Sequence, residues 1–191
     1  MKLKDILNES SLTRLHSKMQ DSTTGVITAY RGEFTKRENQ QRNKSLVAKL
    51  MAKGYSVTAV RGSYIENYES EDATEVSEHS FFVAPRKPEQ SETLEQDLVA
   101  LGQEFDQDSV LIINNGKGEL VGTSNRENAW PSFGKREPVG GFKGGKAAEF
   151  MSRVNDRPFI FSESYEMPQT INGIRGLKIL ANKDWRDIEL D

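Results

Sequence analysis

Residues 25 to about 124 predict an α+β fold: a ferredoxin-like sheet in split β-α-β-β-α-β order, with both helices on one face. Three observations carry that expectation. Apolar residues recur with the period of a strand and the period of a helix in that alternating order. Glycines and prolines punctuate the junctions. The composition, 35% hydrophobic and 29% charged, is that of an ordinary globular chain.

Taken in order, Leu3, Ile6, Leu7, Leu12, Leu15 and Met19 predict a short N-terminal amphipathic helix broken near Asn8 to Ser11. Residues 1–24 then read as a helical leader and linker. Val26-Ile27-Thr28-Ala29-Tyr30 is rich in β-branched and aromatic residues and predicts the first strand, ending at Arg31-Gly32. Leu46, Val47, Leu50 and Met51 share one face of a helix whose other face carries Arg37, Glu38, Gln41, Lys44 and Lys49, with Gly54 as its C-terminal stop. Tyr55 to Val60 predicts the second strand. An acidic connector, Glu66 to Glu78, leads to a third at His79 to Ala84, closed by Pro85 and Pro88. Ser91 is the expected cap of a second helix with the stripe Leu94, Leu98, Leu101 and Phe105. Ser109 to Ile113 is a fourth strand, and Asn114-Asn115-Gly116-Lys117-Gly118 signals a hairpin into a fifth at Glu119 to Thr123.

Residues 125–191 read as a basic, Gly-rich segment and a C-terminal α/β extension packed on the core. Ala147 to Val154 is expected to be helical, Pro158 to Phe161 a strand, and Gly173 to Leu180 a last apolar element. With two helices on one face, the other sheet face is left for a partner, a ligand or this C-terminal region.

Bulk properties narrow the function classes. A net charge of −3 argues against general nucleic-acid binding, which calls for a basic domain. The absence of cysteine excludes disulfides, thiolate metal sites and cysteine nucleophiles. Apolar runs such as Val110-Leu111-Ile112-Ile113 are far shorter than the ~20 residues a bilayer span needs. No membrane contact and no cofactor are expected. The expected location is a host cytoplasm or the inside of a virion.

Several short motifs resemble a known family. Val26 to Tyr30, Glu38-Asn39 and Arg42-Asn43 ahead of Leu46 and Leu50, Arg61-Gly62, Glu78-His79-Ser80-Phe81-Phe82-Val83, Leu101-Gly102-Gln103 and Asp108 to Leu111 are similar to a bacterial and phage domain-of-unknown-function family (DUF 3293 type). That resemblance covers about residues 25–113 and implies a domain boundary but no mechanism. Arg31-Gly32 replaces the Asn-Pro usual there. Met1 to Glu9 resembles the leaders of T4-like phage head proteins, which implies cleavage after Glu9 in Leu7-Asn8-Glu9.

Three other segments bear on chemistry. Gly140, Gly141, Lys143, Gly144, Gly145 and Lys146 match most of a phosphate-binding loop, in which glycines let backbone N–H groups converge on an anion. Ala147 stands where such loops place a magnesium-binding hydroxyl, so the segment reads either as a plain anion site or as a basic surface loop. Tyr30-Arg31-Gly32 resembles the first motif of ADP-ribosyltransferases, which makes Arg31 an anion contact. Their Ser-Thr-Ser strand and paired-acid turn are absent, and an arginine in a strand-end salt bridge is the plainer reading. The acidic run beside His79 has no ligand spacing, so no metal site is expected, and with His16 the only other histidine no hydrolytic triad is complete.

No catalytic residue can be named from these patterns. They lead to an expected phage-type accessory protein acting by binding, packaged in a virion after cleavage near Glu9, with a capsid, scaffold or host protein as partner. The alternative is an enzyme or sensor for a nucleotide or other phosphate-bearing small molecule. In that case Arg31 and the Gly140 to Lys146 loop would share a pocket.

Overall fold

The computed structural model describes residues 15–66, 74–127, 129–144, 150–154 and 157–163. A helix over 15–21 (α1) comes first. It is followed by β1 (Thr24–Ile27), α2 (Lys36–Ala52), β2 (Ser56–Glu66), β3 (Thr74–Ala84), α3 (Gln90–Glu104), β4 (Ser109–Asn114) and β5 (Lys117–Gly122). Four more strands complete the described chain: β6 (Arg136–Gly141), β7 (Lys143–Gly144), β8 (Phe150–Val154) and β9 (Arg157–Glu163). The strands form one sheet in the order β6-β5-β4-β1-β3-β2-β9-β8-β7. Every adjacent pair is antiparallel. Its centre, β4-β1-β3-β2, has the split β-α-β arrangement expected from the sequence.

Strand alternation separates two apolar layers. Ile27, Val57, Ala59, Phe81, Val83, Val110 and Ile112 pack against Leu46, Val47 and Leu50 of α2 and Leu94, Leu98 and Leu101 of α3. Each fully buried leucine there stabilises the fold by about 1.5–3 kcal/mol. The opposite face carries Val26, Val60, Phe82, Ala84, Leu111 and Ile113. It is covered in part by Leu15 and Met19 of α1 and by Val139 and Phe142 from the C-terminal region. That second face is therefore not left open along its length.

Local chemistry fixes the element ends. Thr35 and Glu38 form a capping box at the start of α2, satisfying two of the helix's otherwise orphaned N–H groups. At its other end Gly54 takes φ +87°. The Tyr55 N–H bonds Leu50 O at 3.2 Å and the Gly54 N–H bonds Met51 O at 2.8 Å, a Schellman motif. Asn115 and Gly116 both have positive φ, 51° and 70°, as a two-residue hairpin between Asn114 and Lys117 requires. The same Gly116 N–H bonds Met19 O at 2.8 Å and ties α1 to that turn.

Three expectations are corrected and a fourth is met and extended. The start of α3 is Gln90, and Ser91 is not its cap; Gln90 Oε1 instead accepts the Arg86 and Lys87 N–H groups at 2.8 and 3.0 Å. Second, β2 and β3 are each 11 residues long and pair rung by rung from Ser56↔Ala84 to Glu66↔Thr74. Thr74 to Glu78 is thus strand, because backbone pairing overrides the charge pattern that suggested a connector. Third, Phe150–Val154 is strand, not helix, its backbone taken up by a hairpin with Arg157–Phe161. Fourth, the strand expected at Pro158 to Phe161 is present but longer, as β9. The element expected at Gly173 to Leu180 lies outside the described residues.

Tyr55 joins the two core helices. Its hydroxyl donates to Asp97 at 2.7 Å, and Lys53 pairs with the same carboxylate at 2.7 Å. Burial, with the Asp97 charge adding to it, pushes the Tyr55 phenol up to about 12. A raised folded-state pKa means that the neutral phenol stabilises the fold below its ordinary value near 10, and that this contribution is lost as pH rises through about 12. Denaturant titrations from pH 9 to 12 should show stability falling above pH 10, with a shallower fall in Tyr55→Phe.

Candidate functional site

At the end of the sheet where β1 finishes, the chain leaves between two helices over residues 28–35. Its backbone groups lose the ladder there and need other partners. α2 supplies them from the inward stripe that carries its leucines. Asn43 accepts the Ala29 N–H at 2.9 Å and donates to His79 O at 3.4 Å. One turn earlier, Asn39 accepts the Arg31 N–H at 2.8 Å and donates to Arg31 O and Phe34 O at 2.8 and 3.0 Å. Both asparagines are buried, Asn39 completely. Thr28 donates to His79 O at 2.8 Å and accepts the Tyr30 N–H at 3.0 Å, turning the chain out of the strand.

Arg42 closes the arrangement. Its Nε donates to Ala29 O at 2.9 Å and its Nη2 donates to Phe105 O. The guanidinium lies 4.5 Å from the Phe34 ring centroid and 5.7 Å from that of Phe105. Arginine suits this place, since its planar fork bonds carbonyls at the edge while its face stacks on aromatics. Gln107, buried, donates to Tyr30 O at 3.4 Å and to Phe105 O at 3.0 Å, and its own carbonyl accepts from Thr123 at 2.6 Å. The loop after β1 and the turn between α3 and β4 therefore form one rigid rim.

Arg31 sits on this rim, half-buried. It pairs with Glu33 and donates to Asp106 O, contacts that use two of its five N–H groups. The hydrogen bond from Arg31 holds the Glu33 carboxyl below the usual carboxylate range. Arg126 reaches the same Asp106 carbonyl at 3.2 Å and pairs with Asp108. The rim thus offers guanidinium groups and carboxylates within one ring of backbone.

The remaining sequence-predicted residues do not gather here. Gly140 and Gly141 are strand residues of β6, opposite Gly118 and Lys117. They stand at the hairpin-turn end of the sheet, whereas Arg31 follows β1 at the other end, more than the length of β5, about 17 Å, away. Their backbone belongs to a ladder and does not open a helix. Lys143 and Gly144 form β7 opposite Met151 and Phe150. Gly145, Lys146 and Glu9 lie outside the described residues. The structure does not bring Arg31 and Gly140–Gly141 into one pocket. A cleft of about 510 Å³ also lies at that far end, between α1 and the start of α3, lined by Lys18, Asp21, Arg86 and Lys87 among others. Among the described residues, no group of three or more histidines, aspartates or glutamates could hold a metal ion. No helix there is long and apolar enough to cross a membrane.

Sequence reasoning quoted Asn39, Arg42 and Asn43 but assigned them no structural role. The available signal was the pair of asparagines at i and i+4 in line with Leu46 and Leu50, since polar residues on an inward helix stripe need buried partners. Truncation should expose their importance. Asn39→Ala should lower stability by roughly 1–3 kcal/mol in chemical denaturation, because three part-buried backbone groups lose their partner. It should also speed amide exchange at Arg31.

The family model described as the S-Adenosylmethionine lyase family matches residues 25–159. That is well over half of the chain, from β1 into β9, and the chain belongs to this family. The finding overturns the resemblance to the domain-of-unknown-function family. The motifs behind it are ones the packing itself requires: Phe81 and Val83 alternate into the helix-side core, and Asn39 and Asn43 anchor the exit of β1. Short motifs of that kind report a fold before they report a lineage. No finding supports the phage-leader resemblance or the packaged accessory protein it suggested; residues 1–9 lie outside both the matched and the described residues. No curated protein matches the chain.

Proposed function

We propose that this member of the S-Adenosylmethionine lyase family binds S-adenosylmethionine at the rim where β1 ends and breaks a carbon–sulfur bond of its sulfonium. The observation that carries the reading is the family match, which spans the β1 exit and every element of the rim. The earlier alternative, an enzyme or sensor for a nucleotide, is retained in amended form: the ligand is a nucleoside without phosphate.

The chemistry asks for little machinery. A sulfonium is a good leaving group. When the bond to the amino-acid chain breaks heterolytically, the electron pair stays on sulfur as a neutral thioether. The carbon fragment closes onto its own carboxylate or gives up a neighbouring proton, and either course balances without oxidant, reductant or metal. Because charge on sulfur disappears in that step, apolar, water-poor walls favour it over bulk water. Holding the amino-acid end still supplies the rest, by fixing a reactive geometry.

Arg31 is the residue assigned to the ligand's carboxylate, through the N–H groups its internal contacts leave over. Glu33 and the other acids of the rim suit the ammonium and sulfonium charges. Phe34, half-buried, provides aromatic surface at the same end, and onium cations are attracted to aromatic faces.

The test is incubation of the purified protein with S-adenosylmethionine and chromatographic detection of methylthioadenosine. Saturable, protein-dependent release is expected. Arg31→Gln should raise KM about tenfold or more while changing kcat less, with thermal stability near that of the parent. The absence of both turnover and calorimetric binding would overturn the reading, and tight binding without turnover would reduce it to a sensor.

A further inference from the structure

We infer that Trp130 and Phe133 form an aromatic platform on which the purine base of a nucleoside ligand stacks. This rests on the reading of the ligand as S-adenosylmethionine, and it assigns that ligand's nucleoside half to a place of its own.

Two large apolar side chains stand out among the described residues for their exposure, and they lie three positions apart. Trp130 and Phe133 are each 46% exposed. Isolated surface hydrophobics need no explanation, but two aromatics on one short turn do. A mobile turn would fold such rings inward. This one is held. The Gly122 N–H bonds Lys135 O at 2.9 Å, the Gly134 N–H bonds Gly122 O at 3.0 Å, and the Lys135 N–H bonds Ser132 O at 2.9 Å. The turn lies so close on β5 that a Cβ at Gly122 would collide with the Pro131 and Ser132 carbonyls. Its backbone is fixed with the rings outward.

Its position gives the platform a ligand. β5 ends at Gly122 on the same side of the sheet where β1 ends, since Gly122 pairs with Ser109 and Val26 with Leu111. Two side chains fasten the segment between β5 and the turn to the rim: Thr123 to Gln107 O, and Arg126 to Asp106 O. Asp106 O is also the carbonyl that Arg31 bonds. The turn and the proposed amino-acid subsite are thus parts of one rigid end. A ligand with an amino acid at one end and a purine at the other needs these two kinds of surface, polar and aromatic. Stacking on a pre-fixed ring costs little ordering entropy and tolerates the base's polar edge.

Adenosine and methylthioadenosine are the probes, because neither carries a sulfonium and neither is consumed. The chain has two tryptophans, Trp130 and Trp185, so a Trp185→Phe background makes the emission report Trp130 alone. Saturable quenching by both nucleosides, and none by methionine, is expected. Trp130→Ala and Phe133→Ala should each weaken nucleoside binding about tenfold by calorimetry, with Trp130→Phe intermediate. Both residues are exposed, so the variants should fold, which thermal denaturation checks. Unchanged nucleoside affinity in both alanine variants would overturn the platform. So would an effect of Trp130→Ala confined to self-association in sedimentation, which would make the patch a contact between copies. The two readings fail separately. Cleavage of S-adenosylmethionine with normal Trp130→Ala binding sinks only the platform. Nucleoside quenching without cleavage sinks only the lyase reading.

Discussion

The exit of β1 from the sheet is the constraint around which this end of the molecule is built. Between Thr28 and Thr35 the backbone passes from a ladder to a helix with no regular partner, dipping into the interior at Ala29 and staying half-buried at Thr28, Tyr30, Arg31 and Phe34. Asn39 and Asn43 take up that demand from one face of α2, and Arg42 and Gln107 extend it to the turn after α3. An unpaired buried amide or carbonyl costs about 1–3 kcal/mol, so several together would exceed much of a domain's net stability. The same bonds that prevent that cost make the rim rigid. Stability and preorganisation thus come from one set of contacts.

Much of the fold was legible because its signals are local. The Asn115-Gly116 turn needs two residues of positive φ, Gly54 ends α2 for the same reason, and the stripes of α2 and α3 have the helical period. What was not legible depends on partners distant in sequence. Thr74 to Glu78 carries the charge of a loop but pairs along β2, and Phe150–Val154 has a helical composition but pairs with β9. The start of α3 misled for another reason. Gln90 reaches back to two amides, a solution that no cap preference for serine anticipates.

The candidate site was legible only in part. Arg31 was singled out by its place at a strand end, and the structure gives it the ion pair that a plain reading predicts together with a position on the rim. The Gly-rich segment was singled out by spacing alone. Spacing does not reveal whether glycines lie in a loop or a ladder, and Gly140 and Gly141 lie in a ladder. Trp130 and Phe133 passed unnoticed because an aromatic in a sequence gives no sign of facing outward. Their exposure follows from the closeness of the turn to Gly122, which is a property of three dimensions.

The proposed function gives these pieces a common purpose: a polar rim for an amino acid and aromatic surface for a base, both at one end of the strands. The cleft beside α1 lies at the opposite end and is the natural competitor. Amide chemical-shift mapping of the isotopically labelled protein during titration with S-adenosylmethionine separates the two most directly. The account predicts that the largest shifts fall within residues 28–35, 105–108 and 129–134. Shifts concentrated instead at residues 17–22 and 85–91 would contradict it.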